Sequence, residues 1–514
     1  MYLTKEKIRG LLNVWSLCGL LLLLCTIVLY VRWSGFGEQG EVNFATVSWL
    51  LYQGYPVYTD VDFAARYSLQ HGPIVYFIAG GLMKLFGPSY ITAKLSGILA
   101  VTLSIGISWA WFSKLIGKQY AFLLVGLETW ILFHWHHIYF IRPDSMMLLC
   151  VVVGMYIITT KEKGLWLILG LAIPLAVMAN LKIHGILYFL PLIAIAYERL
   201  GLKKLLYTGG LTLLLVMLPF LVPQVSLNNY IMWLSQSLHH GFSFRNFLPK
   251  IYMVLVLFLI PITIGTMYGV NMRSLYLRNR SVILASLFSL TVISIIASKG
   301  GSGTNHIMPF VPIFSYFIAL IISEVKERDN GRLILVNSSF STKLSSITLM
   351  LILVIMTASG IATEGRFLKL IATNDRRAIV QDVQSIEKVY SGKTIEIGYG
   401  EDKSYDKYRD LIPLPVFHGN PFLIEAVALA DMNVAGLPVP PGTIKSLEEG
   451  TIQVFLIPVG DSPFAMSNGS TRQLFSELFR QTFLNHYHVI SSTSFFDIWV
   501  YGNEVDGTYV GDKL

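Results

Sequence analysis

Long apolar runs separated by short polar turns recur along the first 363 residues of the chain. A helix needs about 20 mostly apolar residues to cross the hydrocarbon core of a bilayer. The region 1–363 is therefore predicted to be an all-α membrane domain. By this measure about eleven runs are predicted as transmembrane helices, at 11–32, 91–116, 119–138, 143–160, 164–182, 184–199, 203–223, 250–270, 280–298, 305–324 and 343–363.

One further apolar run, 74–86, is short and is interrupted by Lys84. Lys and Arg concentrate in cytoplasmic loops, and this bias indicates which way each span runs. If 74–86 lies along the outer interface of the membrane instead of crossing it, the basic turns fall on the same side as the basic N-terminus. We therefore expect a cytoplasmic N-terminus and a first external loop at about 33–90 that includes this interfacial helix.

Beyond residue 363 the composition changes, because charged residues return and a proline-rich loop appears at 438–442. The region 364–514 is predicted to form a small soluble α/β domain, which lies outside if eleven spans follow a cytoplasmic N-terminus. Alternating or continuous apolar patterns predict strands, and apolar residues at helical spacing predict a helix. The predicted strands are 393–400, 452–460 and 495–502, and the predicted helix is 473–487.

The overall composition agrees with a membrane protein. Hydrophobic residues make up 54% of the chain and charged residues 14%, with a mean hydropathy of +0.59. The formal net charge of +8 is explained by Lys and Arg in cytoplasmic loops, so no nucleic-acid partner is expected. The three cysteines all fall in apolar runs, which predicts small buried side chains and not a disulfide framework.

The segment 37–73 carries the most distinctive chemistry. Its four carboxylates, Glu38, Glu41, Asp60 and Asp62, follow directly after the first apolar run. Carboxylates this close to a membrane are costly unless they face water or have a function. We interpret the segment as an external loop with a catalytic carboxylate.

The order of motifs in this loop resembles that of bacterial GT-C glycosyltransferases that use polyprenyl-phosphate sugars. Protein O-mannosyltransferases and lipid A aminoarabinose transferases are among them. The resemblance covers roughly the first two hundred residues. The matching elements are Gly40-Glu41, Gly54, Tyr55-Pro56-Val57-Tyr58-Thr59-Asp60, His71-Gly72-Pro73 and Leu85-Phe86-Gly87-Pro88-Ser89.

The resemblance implies a GT-C polytopic helix bundle in the plasma (inner) membrane, with the small α/β domain on the external, periplasmic side. It also implies an inverting transfer of a sugar from a polyprenyl-phosphate-linked donor to a lipid, glycan or protein acceptor outside. Tyr58 and His71 are expected to bind substrate, because they belong to the matching motifs.

Glu41 is the first candidate for the general base. Inverting glycosyl transfer needs a carboxylate that takes a proton from the acceptor as it attacks the anomeric carbon. Many relatives have Asp-Glu where this chain has Gly40-Glu41, so Glu38 stays open as the alternative. Because the two acids are three residues apart, both can lie on one helical face. The simpler interpretation is a solvated loop acid.

Arg142-Pro143-Asp144 resembles an Arg-Pro-Asp at the second external loop of GT-C proteins. Asp144 is a candidate catalytic acid, although an Asp before an apolar helix also suits an N-cap. The lipid phosphate leaves as an anion, which cations must stabilise. The predicted substrate-binding residues on the outer side, besides Tyr58 and His71, are Arg142, Lys182, Lys299, Arg66, Arg245, Asn305 and His306.

Two patterns raise the question of a metal. His134, His136 and His137 cannot all point one way on a helix and have no acidic partner at zinc-site spacing. Asp60 and Asp62 match the Asp-x-Asp of metal-using glycosyltransferases, a pattern common by chance. A divalent metal is possible but not favoured, and no cofactor is predicted with certainty.

Two other functions remain open at this stage. One is a glycolipid flippase or transporter without enzymatic activity. The absence of internal repeats and of broken-helix signals in the sequence counts against it. The other is a ligase or polymerase that uses a diphosphate-linked donor.

Overall fold

The computed structural model of the chain describes residues 5–135, 137–160, 164–300, 302–328, 340–467 and 473–502. His136 lies outside these residues. Up to residue 373 the α-helices are α1 (Lys5–Arg32), α2 (Gln39–Tyr52), α3 (Ile74–Phe86), α4 (Tyr90–Ile116), α5 (Lys118–Trp135), α6 (Pro143–Thr160), α7 (Leu165–Leu181), α8 (Ile186–Met217), α9 (Leu227–Gln236), α10 (Phe244–Met267), α11 (Met272–Arg278), α12 (Arg280–Ile296), α13 (Val311–Arg328) and α14 (Phe340–Thr373).

The remaining segment combines short helices with four strands. The helices are α15 (Arg377–Val389), α16 (Asp402–Tyr408), α17 (Pro413–Phe417), α18 (Ala426–Val434), α19 (Pro441–Glu448) and α20 (Glu477–His486). The strands are β1 (Ile395–Ile397), β2 (Val454–Pro458), β3 (Tyr487–Ser492) and β4 (Phe496–Tyr501). Short 3₁₀ turns lie at Ile183–Gly185, Leu218–Leu221, Ser237–His240, Thr304–Phe310 and Arg409–Leu411.

The protein is a mostly helical, multi-pass membrane protein. Within the described residues, seven helical stretches are long and apolar enough to cross a bilayer, and an eighth counts if α11 and α12, bent by 86°, form one span. The predicted number of about eleven is not confirmed. One reason is that α7, predicted as a span, is only 17 residues long. Another is that the two predicted spans 184–199 and 203–223 fall almost entirely in one helical stretch, Ile183–Leu221.

That stretch, Ile183–Leu221, has 39 residues. As one straight helix it would be about 58 Å long, roughly twice the hydrocarbon core of a bilayer. The helical backbone breaks at Gly201, whose φ of 74° lies in the left-handed region. Only glycine adopts this region without steric cost. The break therefore falls between the two spans that the sequence predicts.

Helix α3 forms where the sequence predicts it and packs closely on α2. The two helices meet at Gly80, where an added Cβ would lie 2.4 Å from the backbone oxygen of Ser48. A side chain at this position would force the helices apart. The absence of a side chain at Gly80 therefore allows α3 to pack closely on α2, the helix that carries Glu41.

The sheet has the strand order β1-β2-β4-β3. β1 pairs with β2 in parallel, and β4 runs antiparallel to both β2 and β3. The three predicted strands are present but shorter than expected. β3 was not predicted, because it begins at Tyr487, where the predicted helix ends. Its residues are mostly exposed, as expected for a strand at the edge of a sheet.

The chain divides into two compact units that alternate along the sequence. The first comprises 1–30, 97–218 and 241–372, and the second comprises 31–96, 219–240 and 373–514. The first unit is built mainly from long helices. The second unit contains the sheet, and it also contains α2, α3 and the rest of the first loop. The first loop therefore folds with the C-terminal segment, from which it is far removed in sequence.

Candidate functional site

Glu41 lies in the first turn of α2 and is fully buried. Its Oε2 accepts a hydrogen bond of 2.7 Å from the backbone N–H of Gly37. The N-terminus of a helix favours a negative charge, because its N–H groups and dipole point toward that end. Glu38 is the N-cap residue of α2, is half-buried and makes no side-chain capping bond. The structure therefore separates the two candidate acids by environment.

Lys94, near the start of α4, is buried. It lies within electrostatic range of Glu41 and Asp410. Its ammonium donates a hydrogen bond of 2.6 Å to the backbone oxygen of Trp33. Sequence reasoning missed this residue because it considered cations in loops, whereas Lys94 occupies a predicted span. A Lys inside an apolar run was the available signal, because ionisable residues in membrane segments are generally functional.

Glu425 is a second buried carboxyl group near the start of α2. It accepts hydrogen bonds from the Gln39 side chain at 3.1 Å and from the backbone N–H of Ala428, in the first turn of α18, at 2.9 Å. Burial raises the pKa of Glu425 to about 7, so this group can exchange a proton near neutral pH. No local pattern could have identified it, because Gln39 and Glu425 are 386 positions apart.

The motif residues Tyr58 and His71 organise the first loop. The hydroxyl of Tyr58 donates a hydrogen bond of 2.5 Å to the backbone oxygen of His71. The Tyr58 ring packs on Tyr230 at 4.9 Å between centroids, and the His71 ring packs on Phe44 at 5.1 Å. These contacts close the loop between Tyr58 and His71 and hold it against α2 and α9.

A second group of predicted residues meets in the first unit. Asp144, in the first turn of α6, pairs with Lys182 through its Oδ1 at 2.8 Å. The other carboxylate oxygen, Oδ2, accepts a hydrogen bond of 2.7 Å from the Asn305 side chain. All three residues are buried. Three segments that the sequence marked separately therefore converge on one carboxylate.

Further polar and charged residues surround this carboxylate. We call the whole group the Asp144 cluster; its members are Asp144, Lys182, Asn305, Arg142, His306 and Lys299. Arg142 and His306 lie within electrostatic range of Asp144, and Lys299 lies within range of Lys182. The His306 ring packs on His184 at 5.3 Å between centroids. Arg245, in contrast, is exposed at the start of α10.

Described residues of both metal-like patterns make contacts within the protein. The backbone N–H of Asp62 donates to the Asp60 carboxylate at 3.2 Å, which forms a local turn. His137 contacts the Glu364 carboxylate through Nδ1 at 3.0 Å. Over the described ranges, no group of three or more His, Cys, Asp or Glu side chains could hold a metal ion.

Comparison with solved structures gives matches over nearly the whole chain. ArnT from Cupriavidus metallidurans matches in its apo state with a TM-score of 0.53, and bound to undecaprenyl phosphate with a TM-score of 0.55. Each match has 14% identity and covers 96% of this chain and 99% of ArnT. An oligosaccharyltransferase from Archaeoglobus fulgidus also matches, with a TM-score of 0.44 and 11% identity over 86% of this chain and 67% of that one.

The amino-acid sequence gives no match to a protein-family model or to a curated protein. At 14% identity the similarity to ArnT is evidence for the fold alone. It agrees with the fold that the motifs of the first loop predicted. The chain has the GT-C fold: a membrane helix bundle with a small α/β part.

Proposed function

We propose that the protein is a glycosyltransferase that moves a sugar from a polyprenyl-phosphate donor to an acceptor on the external side of the plasma (inner) membrane. The observation that carries this proposal is the buried Glu41 at the start of α2, within electrostatic range of Lys94, in a chain with the GT-C fold. Two further observations support the donor class: the order of motifs in the first loop, and the structure of ArnT bound to undecaprenyl phosphate.

Glu41 acts as the general base. It takes the proton of the acceptor hydroxyl or amine while the acceptor oxygen or nitrogen bonds to the anomeric carbon. The bond between that carbon and the phosphate oxygen breaks, and the lipid phosphate leaves with the electron pair. Attack opposite the leaving phosphate inverts the anomeric configuration. The transition state resembles an oxocarbenium ion, which a neighbouring carboxylate stabilises.

Cations of the Asp144 cluster stabilise the leaving phosphate. Lys182 forms an ion pair with the Asp144 carboxylate. Its main role is therefore to position the residues of the cluster. Arg142 and Lys299 supply the remaining positive charge, and the rings of His184 and His306 supply polar groups beside it. A net positive cluster suits a phosphate that gains charge as it leaves.

A transfer assay with purified protein tests the function directly. Sugar from a synthetic undecaprenyl-phosphate donor is expected to appear on an acceptor, with release of undecaprenyl phosphate. Movement of the donor across a vesicle membrane without transfer would indicate a flippase. Transfer that requires an undecaprenyl-diphosphate donor would indicate a ligase or polymerase. Either outcome would overturn the proposal.

The proposed orientation places the N-terminus in the cytoplasm and 364–514 outside. Two exposed lysines can be changed to cysteine in a cysteine-free background: Lys445 in α19 and Lys204 in α8. A reagent that does not cross membranes is expected to label the cysteine of Lys445→Cys in intact cells. It should label that of Lys204→Cys only after permeabilisation. The reverse pattern would show that the orientation is wrong.

A further inference from the structure

Arg66, in the first loop, is held rigidly and is 1% exposed. Its backbone N–H donates to the oxygen of Leu423 at 2.6 Å, and its backbone oxygen accepts from the N–H of Glu425 at 2.9 Å. The guanidinium stacks on Trp233, with 3.7 Å between its carbon and the ring centroid, and Nη1 donates to the backbone oxygen of Ser68. Both ends of the residue are therefore fixed.

The other two nitrogens of this guanidinium, Nε and Nη2, are buried and have no hydrogen-bond partner. Their N–H groups point from the same edge of the planar group. This is the fork that binds two oxygens of a carboxylate or phosphate. Burial lowers the pKa of Arg66 to about 10, which leaves the side chain cationic at neutral pH. The structure thus holds a buried, charged guanidinium with two unpaired donors on one edge.

Two hydroxyl groups in the same loop region are also buried and donate no hydrogen bond, although the oxygen of the Tyr76 hydroxyl interacts with the backbone N–H of Leu69. The Tyr76 hydroxyl lies within electrostatic range of Arg66. The hydroxyl of Thr59 belongs to a residue whose backbone oxygen accepts a hydrogen bond of 2.7 Å from the Trp233 indole. A hydroxyl can always donate. The unsatisfied groups around Arg66 are therefore complementary to a ligand that only accepts.

The neighbouring acids compensate the charge of Arg66 but do not hydrogen-bond to this edge. Glu425 and Asp431 lie within electrostatic range and favour the charged form of Arg66. The carboxylate of Glu425 is committed to Gln39 and to the start of α18. Unpaired buried donors are rare in native proteins and call for an explanation.

We propose that Arg66, stacked on Trp233 and accompanied by the hydroxyls of Tyr76 and Thr59, binds an oxyanion, a phosphate or carboxylate group, of a substrate. That this oxyanion belongs to a substrate rests on the proposed function. The site is joined to the start of α2, because the Asn43 side chain donates to the Tyr67 backbone oxygen at 2.5 Å. An oxyanion bound at Arg66 therefore lies in the same unit as Glu41 and holds the substrate relative to the base.

Binding measurements on the full-length protein in lipid nanodiscs test this site. The probes are inorganic phosphate, acetate and undecaprenyl phosphate. The variant Arg66→Lys keeps the charge but loses the two-pronged edge. The control Arg377→Lys changes an exposed arginine of the same unit, which pairs with Asp375 at 2.7 Å. We expect phosphate or acetate to raise the melting temperature of the wild type and the control. Arg66→Lys should bind the effective probe on the order of tenfold more weakly.

Undecaprenyl phosphate separates the two sources of the oxyanion. If its affinity also falls in Arg66→Lys, the site holds the phosphate of the donor lipid, and the assignment of that phosphate to the Asp144 cluster is wrong. If only free phosphate or acetate is affected, the site holds an anionic group of the acceptor. Equal affinities of the wild type and Arg66→Lys for all three probes would overturn the proposal. Buried water would then be the partner of Nε and Nη2 of Arg66.

The variant Tyr76→Phe distinguishes ligand binding by Tyr76 from a purely structural role. Because the Tyr76 hydroxyl donates no hydrogen bond, removing it should change the ligand-free melting temperature only slightly, while the shift caused by phosphate or acetate becomes smaller. A lower ligand-free melting temperature with an unchanged shift would remove Tyr76 from the site.

None of these measurements needs turnover, so the two proposals can fail separately. Arg66-dependent binding without sugar transfer by the wild type would overturn the proposed function alone. Sugar transfer with Arg66-independent binding would overturn this site alone.

Discussion

Glu41→Gln is expected to lower sugar transfer about 10²–10⁴-fold, the usual contribution of a general base. The amide keeps the size of the side chain, and its oxygen can still accept the hydrogen bond of the Gly37 N–H. The folded structure should therefore survive, with a near-native melting temperature. Initial rates with a saturating undecaprenyl-phosphate donor measure the effect.

Glu38→Gln is the matched control for this experiment, because Glu38 is half-buried at the N-cap of the same helix and makes no capping bond. It should retain most of the activity. Near-native turnover of Glu41→Gln together with a large loss in Glu38→Gln would move the base to Glu38. Near-native turnover of both variants would remove this pair from catalysis.

Lys182→Ala is expected to destabilise the protein strongly. It removes the ammonium that pairs with Oδ1 of the buried Asp144 carboxylate, while Oδ2 still accepts from Asn305. Removing one partner of a buried ion pair typically costs about 3–5 kcal/mol. We therefore expect a marked fall in melting temperature and a lower yield of folded protein, measured by thermal unfolding in detergent.

The double variant Asp144→Leu/Lys182→Met distinguishes this mechanism from a general loss of packing. Replacing both members of a buried pair by apolar residues is often neutral or stabilising. The double variant should therefore be more stable than Lys182→Ala, although inactive if the cluster binds the lipid phosphate. A double variant as unstable as Lys182→Ala would show that the ion pair is not the cause.

Residues that belong to local sequence patterns could be predicted from the sequence. The apolar runs indicated the helical membrane fold, and the order of motifs around Glu41 indicated the GT-C fold. Asp144, Lys182 and Asn305 were each identified from a separate polar segment at a helix end. Their contacts at 2.7–2.8 Å could not be predicted, because sequence spacing does not show which helix ends meet.

Lys94 and Glu425 show the limits of such reasoning more sharply. Lys94 lies inside an apolar helix, so a count of charges in loops passes over it. Glu425 lies in a segment of ordinary composition, and only the tertiary fold brings it to Gln39. Helix breaks were equally difficult, because Gly201 resembles any other glycine until its φ of 74° is known.

The pairing between Arg66 and the C-terminal segment has a consequence for how the chain is made. Arg66 forms a parallel bridge with Ile424, so the first loop leaves the ribosome roughly 360 residues before its pairing partner. At about 5–20 residues per second this interval is roughly 20–70 s. Throughout translation of the intervening helices Arg66 lacks both of its backbone hydrogen bonds to the C-terminal segment and its contact with Glu425. The surroundings of Arg66 therefore form only when synthesis is nearly complete, and a nascent chain that stops before residue 424 lacks them.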